Sequence, residues 1–228
     1  MKILFVADGR SPTAQNWIRH FVERGDDVFL ASTFQCELDF PVKRFEITPV
    51  AFSAVKKQSL TPAQRNASSR ALGLRTLIRQ WLGPLTIPRS AKKLRAFIQE
   101  IQPDIVHAMR VPYEGMLAAS ALSGGLDTCT GVRRKCTSEK STRSTRPPGL
   151  IVSIWGNDFT LHAPSTPLMK HYTRMTMQTV NALHADCERD IRLAHEWGLS
   201  VDKPTLVVPG NGGIRSDVFY PPKESVKQ

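Results

Sequence analysis

A chain of 228 residues with a hydrophobic fraction of 41% can bury a core as one large domain or two small ones, which excludes wholesale disorder. Its 31 basic and 20 acidic residues give a formal charge of +11, which favours contact with a membrane surface, a phosphorylated ligand or nucleic acid and says nothing about fold. The four cysteines, Cys36, Cys129, Cys136 and Cys187, form no C-x-x-C pair, so a tight metal knuckle is excluded and reduced thiols in a cytosolic protein are expected.

The opening apolar run, residues 3–7, reads as a buried strand. It is too short for a signal peptide, and no run in the chain reaches the length of a transmembrane helix. Asp8-Gly9-Arg10-Ser11-Pro12 forms a turn, and Trp17, Ile18, Phe21 and Val22 fall at helical spacing over 13–24, with Gly25 as the C-cap. Residues 28–31 are the next strand and 43–47 a candidate third. Strand, turn, helix and strand in this order open a doubly wound sheet.

The composition then changes. Between Glu46 and Glu100 there is no acid but there are ten basic residues, from Lys56 to Arg95. Leu74, Leu77, Ile78, Trp81 and Leu82 fall on one helical face of this stretch and Arg75 and Arg79 on another. That face either packs on the core or meets an anionic membrane surface. A helix over 90–101 leads to a strand at 105–108, and 113–122 reads as helical. Residues 124–148 are rich in Ser, Thr, Gly, Arg and Lys and read as a mobile basic loop. Strands at 150–155, 183–185 and 205–208 alternate with helices at 167–180 and 188–197. The expected fold is α/β, a Rossmann-like doubly wound parallel sheet.

Ligands of such sheets sit at the carboxyl ends of the strands, which singles out the residues just after each apolar run. Gly9 stands where a phosphate-binding turn belongs, but there is no G-x-G-x-x-G and no acid at the end of the second strand, so a nicotinamide-dependent enzyme is disfavoured. Gly9 is either a plain tight turn or one whose N–H groups face an anion. His107 is either packed or turned to the cleft. Trp155-Gly156-Asn157-Asp158 is either a local turn with Asp158 as a cap or part of a site. Asn211-Gly212-Gly213 begins a linker or lets backbone approach a ligand closely.

Four segments, in order, resemble glycosyltransferase family 4, the retaining enzymes of GT-B architecture. Lys2-Ile3-Leu4-Phe5-Val6 with the Arg24-Gly25-Asp26-Asp27-Val28 helix exit looks like that family's start. Pro103-Asp104-Ile105-Val106-His107-Ala108 is similar to its "PDxVHxH" strand, and Ile154-Trp155-Gly156-Asn157-Asp158 to its "HGxD" segment. The stretch Val207-Val208-Pro209-Gly210-Asn211-Gly212-Gly213-Ile214, ending at Asp217-Val218-Phe219-Tyr220-Pro221, resembles its "PNGVD" hinge.

The resemblance implies that residues 1–222 are the N-terminal, acceptor-side domain, that 223–228 begin the interdomain linker, and that the donor-binding C-terminal domain is missing. Catalytic roles would fall to Asp158 and His107. Acceptor or phosphate contacts would come from Gly9, Arg10, Ser11, Trp155, Gly156 and Asn157, and the hinge from Asn211, Gly212 and Gly213. Trp155 departs from the common histidine; its indole stacks on a sugar but cannot act as a base. Glu188 and Glu196 have the spacing of the family's E-x7-E pair, but they precede the hinge and read as a solvated helix face.

The implied reaction moves a sugar, with retention, from a nucleotide-sugar co-substrate to a glycan or lipid-linked acceptor. No metal and no cofactor is expected, and nucleic acid is disfavoured by the lack of a recognised motif. The domain alone should be inactive without a donor domain or a complementing chain. The rival reading is a non-catalytic basic Rossmann-like module that binds an anionic membrane or a phosphorylated ligand. Either fits a cytoplasmic protein lying peripherally on the inner face of the membrane.

Overall fold

The computed structural model describes residues 1–53, 78–123 and 147–208. Its strands are β1 (Lys2–Ala7), β2 (Asp27–Ser32), β3 (Arg44–Ile47), β4 (Ile105–Met109), β5 (Gly149–Ile154), β6 (Ala182–Ala185) and β7 (Thr205–Val207). They form one seven-stranded sheet in the order β3-β2-β1-β4-β5-β6-β7. Every pairing is parallel, as the alternation of apolar runs with helical segments predicts. The order reverses between β1 and β4, which opens a crevice outside their carboxyl ends.

The two-residue period of β1 builds both halves of the core. Leu4 and Val6 point to one face, where they meet α2 (Ile87–Ile101) and α3 (Met116–Leu122) through Leu94, Phe97, Leu117 and Ala118. Ile3, Phe5 and Ala7 point to the other and pack beneath α1 (Pro12–Glu23) through Ala14 and Ile18. Helices α4 (Pro167–Thr179) and α5 (Glu188–Glu196) complete the covering layers. Burying a Leu or Phe side chain contributes about 1.5–3 kcal/mol, so these paired faces account for the packing of the sheet.

Helix α1 begins where Ser11 caps it, its Oγ accepting from the Ala14 N–H at 3.4 Å with Pro12 in the first turn. It ends at Gly25, whose φ of +85° is the left-handed exit expected there. Helix α2 starts three residues before the expected 90, because Pro88 is tolerated in a first turn and Ile87 is fully buried. Helix α3 starts at Met116 rather than 113. Tyr113 has φ +67° and ψ −56°, which no helix accommodates, and Val111–Gly115 is a wide turn instead.

Among the described residues no helix is long and apolar enough to cross a membrane, and no cluster of three or more metal-ligating side chains occurs. Residues 124–146 of the basic loop, the hinge residues Asn211, Gly212 and Gly213, and Leu74, Leu77 and Arg75 lie outside the described residues. Residues 78–82 are helical, and their apolar side chains face outward: Ile78 is 42% exposed, Trp81 58% and Leu82 47%. This segment does not bury those groups in the core.

Candidate functional site

A pocket of about 240 Å³ opens at the carboxyl ends of β1, β4 and β5, lined by Asp8, Ser11, Thr13, Met109, Arg110 and Trp155. Three segments far apart in sequence meet there: the turn after β1, the residue after β4 and the residue after β5.

The turn after β1 uses its own amides. The Gly9 N–H donates to Ser32 Oγ at 3.1 Å, the Arg10 N–H to Asp8 Oδ1 at 3.0 Å and the Ser11 N–H to the Asp8 carbonyl at 2.9 Å. These three N–H groups therefore do not form an anion cradle, and the tight-turn reading of Gly9 is the one this geometry supports. Glycine is required by close approach: a Cβ there would run into Cys36 Sγ and sit 2.9 Å from Ser32 Oγ. The Arg10 guanidinium closes on Asp8 through Nε at 2.9 Å and Nη2 at 2.8 Å. That contact, partly opposed by burial, raises the pKa of Arg10 further.

Strand β4 runs to Met109, one residue beyond the predicted end, so the residue presented to the crevice is Arg110, not His107. Arg110 has φ +122° and ψ +151°, a region other residues leave to glycine. Holding a side chain there costs roughly 1–3 kcal/mol. What holds it is Asp158. The Arg110 Nη2 and Nε donate to Asp158 Oδ1 at 2.9 and 3.3 Å, while the Val111 and Trp155 N–H groups reach Oδ2 at 3.1 and 3.5 Å.

The Asp158 side chain is 0% exposed. Burial pushes its pKa up, and Arg110 with the two backbone donors pulls it back. Four N–H donors suit a carboxylate and leave no lone pair direction for a proton, so the pair is ionic. The residue does not line the crevice. It fixes Arg110 across it.

His107 lies on the α1 side of the sheet, 6% exposed, with its ring 5.3 Å from Phe5 and 5.9 Å from Trp17. Its Nε2 meets Ser153 Oγ at 2.8 Å, and Ser153 Oγ meets His184 Nδ1 at 3.0 Å. Burial drops its pKa to about 3, so it is a neutral, packed imidazole. Of the two residues given catalytic roles by the resemblance, neither Asp158 nor His107 reaches the crevice lining in this structure.

Trp155 is half-buried and lines the crevice. Gly156 turns at φ +62°, and its carbonyl accepts from Arg189 Nη2 at 3.1 Å. Asn157 is exposed beside it.

Sequence reasoning missed the role of Arg110 in the crevice lining and of two residues outside that lining, Glu114 and Arg79. Arg110 was one position beyond the assumed strand end. Glu114, read as part of a helix, is 4% exposed and accepts from Thr33 Oγ1 at 2.7 Å. Burial raises its pKa to about 7, against the pull of Thr33 and of Arg110 and Arg79. Arg79 is held over two rings, its guanidinium carbon 4.8 Å from the Tyr113 centroid and 5.4 Å from that of Phe34. No signal local to Arg79 or Glu114 reveals these contacts; they come from pairing of segments more than thirty residues apart.

The arrangement can anchor an anionic or hydroxylated ligand between the Arg110 guanidinium, the Ser11 turn and the Trp155 indole. Among the described residues that line it, the one carboxylate is Asp8, which is bound to Arg10. No protein-family model matches the chain, and no curated protein matches it with significant similarity.

Proposed function

We propose that these residues form the acceptor-side domain of a retaining glycosyltransferase, which moves a sugar from a nucleotide-sugar donor held by a second domain to a glycan or lipid-linked acceptor. One observation supports the reading: the turn after β1 and Trp155, both in stretches that resemble the family, line one crevice with Arg110 at the point where strand order reverses. A front-face reaction in which the donor's own leaving phosphate deprotonates the acceptor hydroxyl asks little acid–base chemistry of the protein. It asks for positioning and for positive charge near the diphosphate. Arg110, fixed by buried Asp158, and Trp155 beside it supply an anchored charge and a stacking surface for a sugar.

Residues 1–228 alone are expected to transfer no sugar, since positioning both reactants is worth about 7–11 kcal/mol of barrier. A radiolabelled-donor assay and calorimetry test this, first on the isolated chain and then with a donor-side domain supplied. Tight sugar-nucleotide binding or turnover by the isolated chain would show that the donor site lies here and that the acceptor-side reading is wrong.

A second reading, a basic module on an anionic membrane, is favoured by one feature. Trp81, at 58% exposure, and Leu85, at 64%, stand out with Ile78 and Leu82 in a segment whose sequence holds no acid. Interfacial segments join such apolar groups to basic residues, each worth about 1 kcal/mol near an anionic surface. Trp81→Ser with Leu85→Ser should lower co-sedimentation with phosphatidylglycerol vesicles severalfold. Equal binding of the unaltered chain to neutral vesicles, or none to either, removes this reading.

A further inference from the structure

The described residues expose ten large apolar side chains, and six of them gather around one small cluster: Phe52, Ile78, Trp81, Leu82, Leu85 and Leu161. Residues 78–82 are helical and pass through a short 3-10 turn, Gly83–Thr86, into α2. Trp81, Leu82 and Leu85 stand at one-turn spacing on the outer side of this segment. Gly83, Pro84 and Ile87 are buried on its inner side. Ile87 packs with Val50, Ala51, Tyr113, Met116 and Met169, and Gly83 lies against Tyr113 and Ala51. The segment is therefore docked, and its largest side chain, Trp81, points away from the core.

Two other turns add to the same surface. The Ala51 N–H donates to Thr86 Oγ1 at 2.8 Å. Ala51 and Phe52 have φ of +51° and +62°, a conformation that L side chains rarely adopt, and the turn they make leaves Phe52 exposed. Leu161 is exposed in the turn after β5 that leads to Thr166, whose Oγ1 donates to the Gln80 carbonyl at 3.3 Å.

The patch borders the crevice. The Tyr113 hydroxyl donates to the Arg79 carbonyl at 2.6 Å, three residues on from crevice-lining Arg110. The Arg79 guanidinium lies over the Phe34 ring, and Arg10, between crevice-lining Asp8 and Ser11, packs on that same ring. Segment 78–82 is thus tied to the turns after β1, β4 and β5, all at the carboxyl end of the sheet.

An exposed apolar patch of this kind marks a contact surface. Its setting is basic: the sequence from 47 to 99 holds no acid, and Arg89 and Lys170 are exposed in the first turns of α2 and α4. An anionic bilayer offers an apolar interior and a negative surface together, and indole rings are favoured at that boundary. A protein partner would have to set an apolar centre inside an acidic rim. A second copy of this chain, at +11, brings the wrong charge.

We propose that this patch seats the chain on an anionic bilayer with the carboxyl end of its sheet toward the lipid, which places the mouth of the crevice in the headgroup layer. The contact itself rests on the second reading above; the orientation goes beyond it, and neither depends on sugar transfer.

Photocrosslinking to vesicles of phosphatidylglycerol in phosphatidylcholine reads the orientation. One protein carries the crosslinking residue in place of Asn157, exposed after β5; another carries it in place of Gln102, exposed before β4 at the opposite end of the sheet. The Asn157 position is expected to label lipid severalfold more than the Gln102 position. Leu82→Asp with Leu85→Asp should lower vesicle co-sedimentation by about tenfold or more and remove the crosslink. Gln99→Asp with Gln102→Asp adds the same two charges at the far end and should lower binding far less. Circular dichroism verifies that the variants are folded, and Trp81→Asp serves if the double variant is not.

Equal or stronger labelling from Gln102, with vesicle binding intact, overturns the orientation and leaves the membrane reading standing. No vesicle binding overturns both. Binding that Leu82→Asp with Leu85→Asp leaves intact overturns the patch as the seat. Dimerisation in sedimentation equilibrium that the same variant abolishes, without vesicle binding, assigns the patch to a second copy and overturns the proposal.

Discussion

Asp158→Asn is expected to destabilise the fold by about 1–3 kcal/mol, the cost of a mismatched buried hydrogen bond, because Arg110 is 41% exposed and can turn to water. The substitution keeps the shape but removes the charge that holds Arg110, and an amide nitrogen now faces either Arg110 or the Val111 N–H, both of them donors. It also removes the reason for Arg110 to remain at φ +122°. For a chain of this length the melting temperature should fall by roughly 5 °C. Arg110→Gln alone leaves the carboxylate buried without its partner and should cost more, about 3–5 kcal/mol. The double variant should be far less unstable than the two losses added, since each single change already forfeits the shared interaction. Urea denaturation of the four proteins measures this. Additive losses would mean that the two groups are not coupled, and that Asp158 does not position Arg110.

The second large effect depends on pH. Unfolded, Glu114 titrates near its ordinary 4.5; folded, burial raises it to about 7. Between those values the folded chain keeps a proton that the unfolded chain has lost, so this group's contribution is complete below about 4.5 and is lost as pH rises through 7. The gap is worth roughly 3 kcal/mol. Glu114→Gln keeps a carbonyl oxygen for the Thr33 hydroxyl and has no proton to lose. It should match the unaltered protein at pH about 4 and exceed it in melting temperature by roughly 5–10 °C at pH about 8. A difference between the two proteins that is the same at both pH values would show that Glu114 does not titrate in this window.

What the sequence reveals of this molecule follows the range of the forces involved. Strand β1 is legible because five consecutive apolar residues can only be buried on both faces, and α1 because Trp17, Ile18, Phe21 and Val22 repeat at one turn and Gly25 ends them. The crevice is legible as a location, since parallel strands bring Ser11 and Trp155 to the same edge. Its chemistry is not. The Gly9 amide looks available until Ser32, twenty-three residues away, takes it. Asp158 looks like an exposed acid in a turn until Arg110 arrives from β4. The stretch from Glu114 to Leu122 has helical composition throughout. Only the packing of Tyr113 against Gly83, where a Cβ would lie 2.8 Å from the tyrosine oxygen, shows what the wide turn before it packs against.

The reversal of strand order has a consequence for how the protein is made. β1 leaves the ribosome before both of its partners, and it ends up inside the sheet, with Ile3 opposite Val28 on one side and Ile105 on the other. The first partner follows at once. The second emerges about 75 residues later, which at ordinary translation rates of 5–20 residues per second is roughly 4–15 s. Through that interval one edge of an apolar strand is open, and such an edge templates pairing with other chains. Nascent chains are therefore most prone to aggregate before β4 docks, and slowing translation between β2 and β4 should lower the soluble yield more than slowing it after β5.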